Sequence, residues 1–429
     1  TCNLTNTFFN YWHELLAKGM DNPDGGTSDQ TGKSHKGGLS KLVASFKPAT
    51  SQALDSLWDS VKSAPVYDRA AKVDLLEAHW GEVFKSKPVA QGSTRELFEN
   101  YRTTFPRITW ALNRAYLKEL LGSPKKSCPG PDGIPFAAYS VVPELSEHIL
   151  WDCAHDLLEG GTPPDDFNHA TLVLLPKKPS VNADGVRWFA TKDTRPLSVT
   201  NTDNRIIANL FRHVFAEFAA KTCSGEQRGF LLNRFLLENV VDIDFEARKL
   251  YLEDVDGCLL LGDLSAAFPS LSQSYLFEVM ARQGVPAGFQ TAVKRLYENN
   301  VQHIKLDGET SRSFTVHSGV RQGCPLSPVL FALALDPFLN LLVQRLPSGT
   351  LVRAYADDMA IALRSRISMP VVASCFEVLA GATSLHVNVT KTVYIPLYPT
   401  TELQATKDIA HTNWRSILVT LLALTQMQT

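Results

Sequence analysis

Apolar residues recur along this chain at two periods, one helical and one extended, and the change between them marks out its elements. Between 51 and 87, Leu54, Leu57, Trp58, Val61, Val73, Leu76, Trp80 and Phe84 stand at helical spacing, and Pro88 ends the run. The spacing predicts an amphipathic helical extension. A further helix is predicted from about Thr109 to Leu121, stopped by Gly122 and followed by the basic, turn-rich stretch PKKSCPGPDGIP. TLVLLP, 171 to 176, predicts a buried strand, and 203 to 220 a helix whose broad apolar face carries Ile206, Ile207, Leu210, Phe211, Val214, Phe215 and Phe218.

From Cys258 the alternation becomes regular. CLLLGDLS predicts a strand, 272 to 299 helices, and VQHIKLD a strand that turns at Asp307-Gly308 and returns as RSFTV. Pro325 opens a helix rich in Leu and Phe that runs to about Leu346, and LVRAYADDMAIAL reads as two short strands joined at an acidic centre. A helix at about 371 to 381 and the strand TVYIPL close the pattern, with no internal repeat. Residues 19 to 38, GMDNPDGGTSDQTGKSHKGG, carry too little apolar surface to offset their ordering entropy and read as a disordered linker. GGTSDQTGKS within it imitates a phosphate-binding loop, but Thr27 stands where that pattern needs glycine, and no apolar strand precedes it.

Composition narrows the picture. The 429 residues, 44% of them hydrophobic, fit two to four compact units at roughly 100 to 200 residues each. A net charge of -2 excludes a polycation held to nucleic acid by bulk electrostatics, so any such binding must be local. Seven cysteines without a C-x-x-C pair argue against a disulfide framework and a structural zinc site, and favour a reducing compartment. No apolar run approaches the ~20 residues that a bilayer needs, since 417 to 424 is short and broken by Thr420. The first residues lack the basic start and apolar middle of a secretory signal, and Thr1 in place of Met predicts a piece of a longer polypeptide.

Three acids interrupt apolar strands, where an unpaired carboxylate is expensive to bury: Asp263, after Leu259, Leu260 and Leu261, and the pair Asp357-Asp358, flanked by Val352, Ala354, Met359 and Ile361. Taken alone, Ala-Asp-Asp reads as a polar turn facing water. Three carboxylates brought together would instead repel and retain protons, and a hard divalent cation relieves that cost. Two such ions about 3.5 to 4 Å apart suit in-line phosphoryl displacement. Consecutive strand residues face opposite ways, so the two acids of the pair need not be equal ligands, with Asp357 the stronger candidate. Between the acids, Gly319 and Gly323 allow close backbone approach to a ligand and Gln322 can hydrogen-bond a nucleotide. Lys177, Lys178 and Arg195 follow a strand closely and could meet a triphosphate.

These residues resemble the reverse transcriptases, and among them the non-LTR (LINE-type) retrotransposon enzymes. The matching blocks occur in the family's order: CPGPDGIP (128 to 135), LVLLPKK (172 to 178), TRPLSVTNTDNRIIA (194 to 208), EQRGFLLNR (226 to 234), GDLSAAF (262 to 268), GVRQGCPLSPVLFALALDP (319 to 337), AYADD (354 to 358) and HVNVTKT (386 to 392). The resemblance implies an α+β right-hand polymerase fold, a palm of antiparallel strands backed by helices, with fingers and a thumb. It implies that Asp263 and Asp357 bind two Mg²⁺ ions, with Mn²⁺ as a substitute, assisted by Asp358 and the carbonyl of Leu264. Phe268 matches the aromatic that excludes a 2′-hydroxyl, Lys177 and Arg195 match residues that meet the triphosphate, Gln322 and Gly323 line the nucleotide pocket, and Lys391 matches a lysine that aids pyrophosphate departure.

The expected division is a helical extension over 1–90, fingers over 91–256 with part of the palm near 196–222, a palm over 257–396, and an incomplete thumb over 397–429, with the reverse transcriptase domain at about 165–396. The resemblance also implies an RNA template, a DNA primer and dNTPs as partners, and an intracellular protein acting in the nucleus. Lys85, Lys87, Arg95, Arg102, Arg107, Arg114, Lys118, Lys125 and Lys126 suit a template path. Three departures stand out. Pro269 follows Phe268 where many relatives carry Asp, Arg228 replaces a small polar residue, and no Tyr-Leu-Gly primer-gripping block follows YIPLYPTTELQATKDIAHTNW. That last departure raises an alternative, a catalytically silent template-binding remnant.

Overall fold

The computed structural model describes residues 54–397, apart from 100, 102–105, 124–126, 178, 182–184 and 254. The linker expected at 19 to 38 and the thumb remnant expected after Leu397 lie outside the described residues.

The first of two main sheets is built on Ala170–Pro176 and Thr194–Thr200, paired antiparallel from Ala170 opposite Thr200 to Pro176 opposite Thr194. Val301–Leu306 joins parallel to Ala170–Pro176 and carries Phe314–Thr315 on its outer side. Asp307 (φ 51°) and Gly308 (φ 92°) form the two-residue turn between Leu306 and Glu309, both with the positive φ that a primed hairpin turn needs. TLVLLP is not buried throughout: Ala170, Leu172 and Leu174 face the core while Leu175 is exposed, the period-two pattern of a strand covered on one face.

The expected helix over 51–87 is half corrected. Arg69–Val83 is helical, capped by the Asp68 carboxylate on Ala71 N–H. Leu57–Asp59 and Ala64–Val66 instead form a hairpin. The helical spacing of Leu54, Leu57 and Val61 was misleading, because Val61 is 92% exposed. The backbone there is satisfied by a distant partner: Trp58 N–H donates to Phe189 O (2.8 Å), and Phe189 N–H donates to Ser56 O (3.1 Å). Leu57, Leu76, Trp80 and Phe84 pack with Leu172, Leu174 and Ile304, so this segment is part of the first sheet's core. Several helices were not read from the sequence, namely Gln91–Glu99, Phe136–Val141, Pro143–Glu159 and Leu236–Leu252.

The second sheet has four antiparallel strands in the order Leu351–Tyr355, Asp358–Leu363, Cys258–Gly262, Val393–Pro396. Alternation decides its two faces. Leu260, Ile361 and Val352 enter the main core, which Thr202–Thr222, Gln273–Arg282, Ser327–Arg345 and Met369–Thr383 also fill. Leu259, Ala360 and Ala362 pack on the other side against Leu250 of Leu236–Leu252. Ser327–Arg345 is, among the described residues, the one helix long and apolar enough to cross a membrane, and 78% of its apolar window is buried in the core. It holds the buried Asp336, which accepts from Tyr101 Oη and from Ser224 N–H, each at 2.7 Å. That carboxylate ties the loop beginning at Ser224 to the centre of the molecule.

Candidate active site

Strand register brings the three acids to one end of the second sheet. Met359 pairs with Gly262, and Tyr355 with Asp358, so continuing the ladder one residue sets Asp263 across from Asp358. Ala356 and Asp357 form the turn itself, with Asp358 starting the return strand. Asp357 is half-buried and Asp358 exposed. Burial, then the Asp358 and Asp263 charges, hold the Asp357 carboxyl above the usual carboxylate range. Burial, then Asp263, does the same to Asp358.

One lysine pairs with these acids. Lys391 Nζ lies 3.2 Å from Asp263 Oδ2, yet that buried oxygen has no hydrogen bond of acceptable geometry. Lys177, beyond the first sheet's Pro176, has its ammonium pKa pushed down by burial and then by Lys391 and Arg195, which places these three cations in one field. Lys178 lies outside the described residues. Of the expected template path, Arg102, Lys125 and Lys126 also lie outside them, while Arg114 and Lys118 pair with Glu147 and Lys85 with Glu82.

The glycine-containing loop joins the sheets. Ser198 N–H donates to Gln322 O at 2.8 Å, and Gly323 (φ 110°) leaves no room for a side chain, since a Cβ there would lie 2.6 Å from Ser198 O. Gln322 Oε1 is buried without a hydrogen-bond partner. Gly319 (φ 82°) donates its N–H to Leu271 O at 2.6 Å, and a Cβ on it would lie 2.5 Å from the carbonyl oxygens of Phe268 and Pro269. Gly319→Ala is therefore expected to cost about 3 kcal/mol, from the combined clash and positive φ, and thermal unfolding of the variant checks it. Pro269 fits because it sits inside the short helix Ala267–Ser270, in a first turn that does not use its N–H. Phe268 is half-buried, stacked on Phe331 (centroids 4.7 Å apart, planes 10° apart) and met edge-on by Phe230 at 6.2 Å.

Among the described residues, no group of three His, Cys, Asp or Glu side chains is close enough to enclose a metal ion. The donor set nevertheless suits a hard cation. All the candidate donors are oxygens, Asp263 Oδ2 lacks a hydrogen bond, and the Asp357 carboxyl is raised by burial and then by two like charges. The Leu264 to Val387 bridge is held by Ser265 N–H to His386 O and Asn388 N–H to Asp263 O, a pairing that does not use the Leu264 carbonyl. Sequence reasoning missed Gln227, whose side chain grips the Ala356 turn; EQRGF was visible as a block, but nothing in it pointed to residue 356.

The pattern of the reverse transcriptase (RNA-dependent DNA polymerase) family matches residues 175–405, more than half of the 429 residues. The chain belongs to the reverse transcriptase family. Similar proteins agree with the non-LTR resemblance. The retrovirus-related Pol polyprotein from type-2 retrotransposable element R2DM of Drosophila melanogaster is 29% identical over 316 residues, 70% of this chain and 27% of that one. The transposon TX1 149 kDa protein of Xenopus laevis is 25% identical over 343 residues, 76% of this chain and 26% of that one. The Pol polyprotein from type-1 retrotransposable element R2 of Nasonia vitripennis is 22% identical over 286 residues, 64% of this chain and 26% of that one. The chain thus spans about a quarter of the length of these relatives. Among solved structures, apo telomerase from Candida tropicalis, truncated from its C-terminal domain, aligns at a TM-score of 0.41 and 15% identity, covering 61% of this chain and 56% of that one. In this reverse transcriptase, helices and sheets mix as an α+β fold requires, and Asp263 and the Asp357 turn lie at one end of the four-stranded sheet.

Proposed function

We propose that this chain is the polymerising part of a non-LTR retrotransposon protein, adding dNTPs to a DNA primer 3′-hydroxyl on an RNA template. The observation that carries this reading is the convergence of Asp263 and the Asp357-Asp358 turn at one end of the second sheet, with Lys391 Nζ 3.2 Å from Asp263. Clustered carboxylates with a lysine beside them suit a nucleoside triphosphate entering with bound metal. Residues 91–256 would serve as fingers and 257–396 as palm.

Asp263 and Asp357, with Asp358 and the Leu264 carbonyl, would hold two Mg²⁺ ions. Bound there, such ions lower the pKa of an attacking hydroxyl and neutralise the leaving oxygen. Lys177 and Arg195 meet the triphosphate and offset its charge. Gln322, whose amide oxygen is buried without a hydrogen-bond partner, would accept from the nucleotide, and Phe268 would shape the floor beneath the sugar. Lys391, held at Asp263, is placed to protonate or pair with departing pyrophosphate.

Primer extension by the full chain on an RNA template tests the reading, with incorporation expected in Mg²⁺ and none in EDTA. Salt-sensitive binding of primer–template without extension would support the silent-remnant alternative instead. Template binding should also weaken with salt through phosphate contacts. Replacing the exposed Arg95 and Arg107 with Gln is expected to reduce the slope of log affinity against log salt by roughly 2, about one per lost phosphate contact. Fluorescence anisotropy across a salt series measures it, and an unchanged slope removes these two residues from the template path.

A further inference from the structure

The EQRGF segment lies beside the palm as an extra rung. Ala354 N–H donates to Glu226 O (2.8 Å) and Arg228 N–H donates to Ala354 O (2.9 Å), a parallel bridge on the outer edge of Leu351–Tyr355. From that position the fully buried Gln227 side chain reaches past the strand end to the turn. Its Oε1 accepts the N–H groups of Ala356 (2.9 Å) and Gly229 (2.8 Å), and its Nε2 donates to Ala356 O (3.2 Å). One side-chain amide therefore holds both polar backbone atoms of the residue immediately before Asp357.

Ala356 needs such a partner. Its φ is 58°, a left-handed conformation that a residue with a Cβ adopts at a cost, and rotation about its flanking bonds would swing the Asp357 carboxylate. Gly229 makes the grip close, because a Cβ there would lie 2.1 Å from Ala356 N. The clamp is itself fastened on two sides. The Arg234 guanidinium donates to the carbonyls of Ala220 (3.0 Å), Cys223 (2.7 Å), Ser224 and Gln227 (2.6 Å), which binds the loop to the end of Thr202–Thr222. Asp242 of Leu236–Leu252 pairs with Arg228 (2.8 Å) and Arg353 (2.7 Å), and Asn239 Nδ2 donates to Ala354 O (3.0 Å). A buried amide held by this many hydrogen bonds restricts the geometry of the turn.

We propose that Gln227 is a positioning residue: it locks the Ala356-Asp357 turn so that the Asp357 carboxylate stands in a productive place relative to Asp263. The inference rests on Asp357 being a metal-binding carboxylate and adds how that carboxylate is held.

Gln227→Met in the full chain keeps the side chain's length and removes the pairing with Ala356. It is expected to lower kcat for primer extension roughly 30- to 100-fold while changing KM for dNTP and Kd for primer–template less than about threefold. Mn²⁺ binding without nucleotide, read by electron paramagnetic resonance, is expected to weaken about tenfold, as for a metal site with a misplaced ligand. Adding Ala356→Gly relieves the backbone strain, so it should recover thermal stability lost by Gln227→Met without recovering kcat. Recovery of kcat in that double variant would reduce Gln227 to a structural role and overturn the proposal. So would kcat and Mn²⁺ affinity within twofold of wild type for Gln227→Met. Should Gln227→Met not fold, Gly229→Ala displaces the turn from the other side and must give the same split between kcat and KM. A wild-type chain that binds Mn²⁺ but extends no primer would defeat the polymerase reading, and the Mn²⁺ affinities of the variants would still judge the clamp.

Discussion

Asp263→Asn and Asp357→Asn are each expected to reduce primer extension by roughly 10³-fold, about 4 kcal/mol of transition-state stabilisation, with the fold retained. Asparagine keeps the shape of the side chain but not the charge that binds a hard cation. The two variants should differ in stability. Asp357 is half-buried beside Asp358 and Asp263, and its carboxyl is raised by that burial and those charges, so a neutral amide removes repulsion and the melting temperature should hold or rise. Asp263 instead loses its ion pair with Lys391, and the largely exposed lysine makes that loss small. Opposite movement of activity and stability at Asp357 is the signature of a residue kept for chemistry. Replacing Asp358, exposed at the start of its strand, with Asn is expected to lose about tenfold if the residue serves as the secondary ligand proposed for it. Single-turnover extension and thermal melts on the same preparations check all three. Extension by Asp357→Asn within tenfold of wild type would sink the two-metal assignment.

The second large effect concerns the sugar. Phe268→Val is expected to reduce discrimination between dNTP and rNTP by roughly 100-fold, about 2.7 kcal/mol. The ring is fixed rather than loose, because Phe331 stacks on one face at 4.7 Å and Phe230 meets it edge-on. A rigid wall rejects a 2′-hydroxyl that a yielding one would admit. Phe230→Ala, which removes only the edge contact, should give the same change with smaller amplitude. Incorporation of each nucleotide opposite the same template base measures the ratio. An unchanged ratio for Phe268→Val would make the residue a core aromatic and nothing more.

Local chemistry was legible in the sequence wherever it depends on neighbours in the chain. Asp307-Gly308 gave a two-residue hairpin turn with both φ values positive, a conformation that Asp tolerates and Gly adopts freely. The helix from Ser327 and the paired strands around Asp357 were read within a few residues of their observed limits. Reading failed where a distant partner satisfies the backbone. Residues 57 to 66 carry helical spacing, yet Phe189 and the first sheet's core make them a hairpin. Gln227 failed for the same reason, since its partner Ala356 lies 129 positions along the chain.

By itself, the sequence determined the inventory of this reverse transcriptase: oxygen donors at strand ends, glycines where φ must be positive, cations near a strand's end, and the order of the family's blocks. Tertiary structure decided proximity. Asp263 faces Asp358 because Leu260 and Ile361 must share one face of the sheet and Leu259 and Ala360 the other, and a slip of one residue would reverse every side chain. The same packing sets Lys391 on Asp263, brings Lys177 and Arg195 into one electrostatic field with it, and delivers a buried amide to the turn that carries Asp357. Composition and spacing carry no information about such contacts, because they depend on which apolar faces pack together.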